Sequence, residues 1–328
     1  MTRRIRRRAP LLGLALAVAL VGAACGSGDN NSGSSSGGAT QLSGKVVADG
    51  SSTVAPISEA VAEEFKKDQS GVNVSVGTSG TGGGFTKFCA GETDISDASR
   101  EIKDEEAQAC QSKGIQYTEV KVGLDGLAVV TSTQNKFLDT LSFDQLAKIF
   151  QKGGAKTWNQ VDPKFPNAPI AIFAPDTDSG TYDFFNEKVL GDPKKGGKDP
   201  RSDYTASADD NTLVQGIAGE ENSWGYFGYA YFAQNKDKLK DIKISEKAGQ
   251  PGVSPTDETV LSGDYPLSRP LFLYVKNDSL KRPEVYGFVK FYLEQAPALV
   301  PQVGYVKLPD TDYTKGLDSI KQFAPAGS

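Results

Sequence analysis

The 328-residue chain contains no histidine, one methionine and three cysteines. Without histidine it lacks the side chain most often used as general base or metal ligand. With so few soft ligands the composition argues against a zinc site. Long apolar runs are also scarce: Leu11–Val21 is apolar but shorter than the roughly 20 residues a bilayer requires. Positive charge is short once the N-terminus is set apart. Met1–Pro10 carries five arginines and no acid, and without them 31 basic residues face 41 acidic ones, a net charge of about −10. Such a body argues against nucleic acid or an anionic membrane surface as partner. Local hydrogen bonds in a cleft can still hold an anion against that global field.

The arginines, the apolar run and the small residues Gly22, Ala23 and Ala24 ahead of Cys25 read as an export signal over residues 1–24, by the general secretory route, ending at a lipoprotein-type cysteine. Ordinary signal-peptidase cleavage near Ala24 is the alternative, because Gly22 stands where a large aliphatic residue is usual and Val21 lies one place earlier. If Cys25 carries lipid, Cys89 and Cys110 remain as a pair. A disulfide suits an oxidising compartment; two buried thiols are the other reading. Residues 25–44, rich in Gly, Ser and Asn, cannot bury enough surface to order themselves and read as a tether. Lys45–Ser328 is long enough for two domains.

Strand-like and helix-like segments alternate through that body, which favours an α/β architecture. A strand at Lys45–Ala48 precedes a helix at Thr53–Asp68, whose Val54, Ile57, Val61 and Phe65 share one face. The spacing predicts further strands at Asn73–Gly77, Asp94–Ser96, Ile170–Ala174 and Arg269–Val275. Helices are expected from Phe85, over Lys103–Lys113, Phe143–Gln151, Tyr182–Leu190, Asn211–Ala218, Pro283–Gln295 and Thr311–Phe323. The β-rich stretch Tyr117–Thr131, interrupted by Gly123 and Gly126, suits a crossover between lobes. The aromatic block Trp224–Phe232 reads as core packing beside a glycine-rich turn, with ligand stacking as its alternative.

Three clusters of hydroxyls and glycines punctuate this pattern: Gly50–Thr53, Thr78–Gly84 and Asp178–Thr181. Each follows a strand-like run and precedes a helix-like one, where unpaired N–H groups and the helix dipole favour an anion. Taken singly, Ser52 and Thr53, or Ser179 with Gly180 and Thr181, read as helix caps worth about 1 kcal/mol. Ser79, Gly80 and Thr81 lead into further glycines, which are poor caps and fit a close backbone approach better. No dinucleotide fingerprint or P-loop register is present. Three such loops without a histidine point to a site that holds an oxyanion and performs no chemistry on it. Asp97 and Arg100 in ISDASREI add charge. A guanidinium clamps an oxyanion, and a carboxylate accepts a bond from hydrogen phosphate but not from fully ionised sulfate. A surface ion pair at i, i+3 is the plainer alternative.

The motifs GSSTVAP, GTSGTGGGF, DISDASR and DSGT, in this order and spacing, resemble the periplasmic phosphate-binding proteins (PstS type) of phosphate ABC transporters. The likeness runs from about Val46 to Phe323 and takes in LDGLAVV, TWNQVDP, GYFGYAY and YPLSRPL. It implies a two-lobed periplasmic-binding-protein fold, type II-like, with two interlobe crossovers near 119–126 and 265–272. On that basis residues 45–122 plus 268–328 form lobe I and 123–267 form lobe II. It implies phosphate donors at Ser52, Thr53, Ser79, Gly80 and Thr81 from one side and Ser179, Gly180 and Thr181 from the other, with Asp97 accepting the phosphate proton. Well-known members carry an arginine four residues before the serine of the SGT loop. That position is Pro175 here, and Arg100, steered by Asp178, is the candidate substitute.

The expected protein is therefore a lipid-anchored, monomeric, non-enzymatic receptor on the outer face of the cytoplasmic membrane. It hands inorganic phosphate to a membrane permease and needs no cofactor or metal. The alternatives are a receptor for sulfate or molybdate, an adhesion or sensing protein reusing the fold, and an exported phosphatase, which would need a metal cluster or an activated nucleophile.

Overall fold

The computed structural model describes residues 41–325 except 178 and 192. The expected export signal, Cys25, most of the tether and Asp178 lie outside the described residues. The strands are β1 (Ser43–Gly50), β2 (Gly71–Gly77), β3 (Ile95–Ala98), β4 (Tyr117–Ser132), β5 (Thr140–Ser142), β6 (Ala171–Pro175), β7 (Thr205–Ser207), β8 (Ser223–Gly228), β9 (Leu239–Asp241), β10 (Lys243–Ser245) and β11 (Ser268–Lys276). β1 begins two residues earlier than expected, so Ser43 and Gly44 belong to the sheet rather than to the tether.

The main sheet runs β2-β1-β3-β11-β4-β8-β6-β7, with β9 also on β4 and β5 paired separately with β10. Its two ends are parallel, β1 with β2 and β3, and β6 with β7 and β8. The middle is antiparallel. β4 pairs with β11 over Tyr117–Gly126, then with β8 over Leu127–Val130 and with β9 over Val130–Ser132. The expected crossover stretch is thus one 16-residue strand shared by both halves. Gly123 and Gly126 do not break it. The register instead shifts between Leu271 and Phe272, which face Gly123 and Lys121 and leave Val122 unpaired, a bulge that bends the strand.

Amphipathic helices cover this sheet. Val54, Ile57, Val61 and Phe65 are buried as the spacing predicts, and the Phe65 ring meets Phe288 and Phe291 at 5.5 and 5.2 Å. Helix Pro283–Gln302 runs seven residues past its expected end, through Pro297 and Pro301. Burial of Leu299 and Val300 offsets the hydrogen bonds those prolines remove. The aromatic block packs as core: Trp224, Tyr226 and Phe227 are fully buried, and the Tyr226 ring stacks on Phe185 at 4.1 Å. Among the described residues no helix is long and apolar enough to cross a membrane.

A second, smaller apolar cluster gathers Phe85, Phe88, Cys89, Ala98, Cys110, Phe272 and Tyr274. Within it Cys89 and Cys110 form the expected disulfide, their Cα atoms 4.3 Å apart. It ties helix Thr81–Ala90, which opens at the second loop, to helix Asp104–Ser112. Closing a loop of this size stabilises by about 3 kcal/mol on the chain-entropy account. Urea unfolding with and without reductant should show a loss of that order. A reduced protein with the oxidised midpoint would remove the disulfide from the stabilising interactions.

Candidate functional site

The first loop is shaped by its backbone. Gly50 has φ +149°, and a Cβ there would fall 2.1 Å from the Asp97 carbonyl oxygen, so β3 and the loop meet only through glycine. The Ser51 N–H donates to that same carbonyl at 2.9 Å, and Ser51 Oγ accepts the Thr53 N–H at 3.2 Å. The helix starts only at Ala55, with Val54 at its N-cap and no side-chain cap. Ser52 and Thr53 therefore do not cap it, and the Thr53 hydroxyl turns elsewhere.

In the second loop, Ser79 is exposed and donates both its N–H, at 3.1 Å, and its hydroxyl to Asp49 Oδ1. The other Asp49 oxygen receives Lys87 Nζ at 2.6 Å. Burial pushes the Asp49 carboxyl up, but the bonds from Lys87 and Ser79 outweigh it and hold it below the ordinary range. Gly80 is the N-cap of helix Thr81–Ala90, whose first turn takes in Gly82, Gly83 and Gly84. They serve a close approach to β1, since a Cβ on Gly84 would lie 2.5 Å from Gly50 Cα. Thr81 Oγ1 accepts the Ser99 N–H at 3.2 Å and sits 3.1 Å from Ser99 Oγ.

The third loop is capped as the sequence suggests, with Ser179 Oγ accepting the Thr181 N–H at 3.2 Å. Its Gly180 faces the first loop so closely that a Cβ would stand 2.6 Å from Thr53 Oγ1. The first and third loops, 127 residues apart from Thr53 to Gly180, are thus neighbours.

Arg269 links these pieces. It stands opposite Asp125 in the β4–β11 ladder and donates Nε–H to Asp125 Oδ2 at 3.2 Å. Nη1 donates to Ser99 Oγ at 3.2 Å, and Nη2 to Thr53 Oγ1 at 2.7 Å and to the Gly180 carbonyl at 3.2 Å. The guanidinium lies over the Phe184 ring, 4.0 Å from its centroid, which fixes its plane. Because Thr53 accepts from Arg269, its own hydrogen is free to donate outward. A cavity of about 310 Å³ opens beside this hub, lined by Ser99, Arg100, Phe184, Lys188 and Arg269 among others. Sequence reasoning missed Arg269. The only signal was its place in YPLSRPL, on the segment expected to cross between lobes.

Arg100 is engaged differently. Its Nη1 and Nη2 donate to Glu106 Oε2 and Oε1, both at 2.8 Å, in the fork geometry characteristic of bidentate pairs. Helix Asp104–Ser112 thereby holds its guanidinium, and no hydrogen bond joins it to the three loops among the described residues.

Asp97 is wholly buried on β3. Oδ2 accepts from Ser58 Oγ at 2.9 Å, whereas Oδ1 has no hydrogen-bond partner among the described residues. Burial pushes this carboxyl up to about 7, against the bond from Ser58 and with the charges of Asp49 and Glu59 adding to the rise. Asp125 Oδ1 and Ser96 Oγ are also buried without a partner among the described residues; Asp97 Oδ1 differs from both in belonging to a carboxyl that no cation among them pairs, so a ligand that brings a hydrogen would satisfy it. Among the described residues no group of three or more Asp, Glu, Cys or His side chains could hold a metal ion.

Comparison with known proteins decides the family. The sequence profile of the PBP superfamily domain matches residues 34–295. The phosphate-binding protein PstS of Staphylococcus saprophyticus is 44% identical over 305 residues, 92% of this chain and 90% of that one. The chain belongs to the PstS-type phosphate-binding protein family. Protein SphX of Synechococcus elongatus is 50% identical over 273 residues, 82% of this chain and 79% of that one. The crystal structure of a possible phosphate binding protein from Planctomyces limnophilus superposes with TM-score 0.82 at 45% identity, covering 86% of this chain and 99% of that one. The family's two-lobed α/β fold is the architecture described above.

The Asp97 shift has a consequence for stability. An unfolded aspartate titrates near 3.8, so between about pH 4 and pH 7 the folded protein binds more protons than the unfolded one. The contribution of Asp97 to stability is fully present below about pH 4 and is lost as pH rises to about 7, by on the order of 4 kcal/mol. Asp97→Asn removes that dependence. Urea unfolding of the phosphate-free protein should find the variant more stable than wild type at pH 8, with the gap closing towards pH 4. Parallel pH profiles would mean that Asp97 does not titrate in this window.

Proposed function

We propose that this protein is an extracytoplasmic, non-enzymatic receptor that binds inorganic phosphate between its lobes and delivers it to the permease of an ABC transporter. The lobes in this reading are residues 45–122 plus 268–328 and residues 123–267. The observation that carries it is Asp97 Oδ1, a buried acceptor without a donor. Hydrogen phosphate brings the missing proton. Fully ionised sulfate does not, and would leave two anions facing each other in a dry site. The phosphate-binding names of the Staphylococcus relatives support the same ligand.

Ser52, Thr53, Ser79, Gly80 and Thr81 supply donors from one lobe, and Ser179, Gly180 and Thr181 from the other. Contact between the first and third loops supports closure of the lobes as the binding step: donors from both sides bias the closed state, which the permease reads. Arg269, already bonded to Thr53 and Gly180, is the guanidinium best placed to supply positive charge. Arg100, tied to Glu106, acts from further out. Lipid on Cys25 would hold the receptor, as a monomer, at the outer face of the cytoplasmic membrane. Release from membranes only by detergent, abolished in Cys25→Ala, tests that anchor.

Calorimetric titration of the whole mature protein tests the ligand. Phosphate should bind and sulfate should not compete at equal concentration, while Asp97→Asn weakens phosphate and narrows the discrimination. Arg269→Ala should cost about 2–5 kcal/mol of phosphate affinity, the range for truncating one member of a buried charged pair, and Arg269→Lys should recover part of it. Arg100→Ala should change affinity by less than about 1 kcal/mol, as for a partly exposed pair. The reverse ranking of the two arginines would return the charge to Arg100, and absence of phosphate binding would sink the reading.

A further inference from the structure

Behind Asp97 lies a short polar chain inside the apolar core. Ser58 belongs to the first helical turn after the first loop and is 1% exposed. Its Oγ donates to Asp97 Oδ2 and stands 3.2 Å from the hydroxyl of Tyr292. Tyr292, on helix Pro283–Gln302, is fully buried, and its hydroxyl has no other hydrogen-bond partner among the described residues. Three buried oxygens thus form a line with two hydrogen bonds, and each hydroxyl has a single hydrogen to spend.

Only one direction satisfies every hydrogen. With Asp97 ionised, Tyr292 donates to Ser58 and Ser58 donates to Oδ2, so both hydroxyl hydrogens are used. A proton on Oδ2 would reverse the line. Asp97 would donate to Ser58, Ser58 to Tyr292, and the phenolic hydrogen would be left buried without an acceptor, a loss worth roughly tenfold or more in the equilibrium. Burial and the charge of Asp97 raise the Tyr292 phenol well above its ordinary range, so Tyr292 stays a donor. The line therefore supplies Oδ2 with a hydrogen, favours the ionised carboxylate and leaves Oδ1 open as its free acceptor.

We propose, building on the phosphate reading above, that Tyr292 and Ser58 are positioning residues that act through Asp97. Their one-way relay reserves Oδ1 as the acceptor of the ligand's proton and so sets the discrimination between protonated and fully ionised oxyanions.

The remaining groups around Asp97 do not duplicate this role. Asp49 on β1 and Glu59 on the helix after the first loop are anions that disfavour its ionisation, and Lys87 is already paired with Asp49. On the neighbouring β11 the residue opposite is Leu273. Tyr313 acts on Tyr292 rather than on Asp97. The Tyr292–Ser58 line is the interaction that distinguishes one carboxylate oxygen from the other.

The test is calorimetry with phosphate and, separately, sulfate between pH 5.5 and 8.5, on wild type, Tyr292→Phe, Ser58→Ala and Asp97→Asn. In wild type, sulfate should bind only as pH falls and Asp97 takes up a proton. Tyr292→Phe keeps the ring but removes the hydroxyl that commits the Ser58 hydrogen to Oδ2, so the carboxylate is less well stabilised and Asp97 takes up its proton at higher pH. It should move the pH at which sulfate begins to bind up by about one unit and reduce the phosphate-to-sulfate affinity ratio at pH 7.5 about tenfold. Ser58→Ala, which removes the only donor to Oδ2 among the described residues, should do the same by a larger factor, and it supplies the test if the tyrosine variant fails to fold. Equal weakening of both anions with an unchanged ratio would show a packing role only and overturn the proposal. So would wild-type ratios and pH profiles in both variants. Failure of wild type to bind phosphate would instead count against the functional reading.

Discussion

Asp125 and Arg269 face each other across the β4–β11 ladder, 144 residues apart in sequence, and the arrangement of the site depends on that pair. Both side chains are less than a tenth exposed. A buried guanidinium needs its donors satisfied, and the partners it finds are Asp125, Ser99, Thr53 and Gly180. Those residues come from β4, from the end of β3, and from the first and third loops. The ion pair anchors one end of the guanidinium on the strands common to both halves of the sheet, which fixes where the other end points. Burial pushes the Asp125 carboxyl up, and Arg269 is the group that pulls against it.

Much of the architecture was legible because apolar periodicity and glycine punctuation report backbone geometry directly. The helix bearing Ile57, Val61 and Phe65, the long strand at Tyr117–Ser132 and the aromatic core around Trp224 lie where alternation and 3.6-residue spacing put them. The boundaries that moved did so for tertiary reasons. The helix from Pro283 continues through two prolines because its far end is buried. The first helix starts at Ala55 rather than Thr53 because Ser51, not Ser52 or Thr53, closes the preceding turn, holding the Thr53 N–H on its hydroxyl.

In the proposed site the hydroxyls and the carboxylate were candidates from sequence, whereas the cation and its support were not. Asp97 stood out because an acid inside an anion-binding pattern demands an explanation. Arg269 did not, since the residues around it in YPLSRPL carry no anion-binding signature, and only the antiparallel register brings it to Thr53 and Gly180. Arg100 was attractive by proximity in sequence to Asp97, yet three positions along the chain from that residue its guanidinium is on Glu106. Ser58 and Tyr292 were invisible for a different reason. A serine one residue from Ile57 and a tyrosine within an apolar helix both read as packing until the fold places their oxygens 3.2 Å apart.

The proposed site would have an acidic protein hold an anion next to a buried aspartate, which by net charge alone is electrostatically unfavourable. The resolution lies in distance and dielectric. Exposed charges on the surface are screened within about 10 Å at moderate ionic strength, whereas Arg269 and the hydroxyls of Thr53 and Ser99, each less than a tenth exposed, would act at contact. There a hydrogen bond in the right direction outweighs many distant charges. The same low dielectric that strengthens those donors raises Asp97 to about 7, so its carboxyl is poised to share a proton rather than to repel a ligand that carries one. In the proposed site Arg269 would provide attraction for any oxyanion, and Asp97, with Ser58 and Tyr292 behind it, would restrict that attraction to one that arrives with a proton.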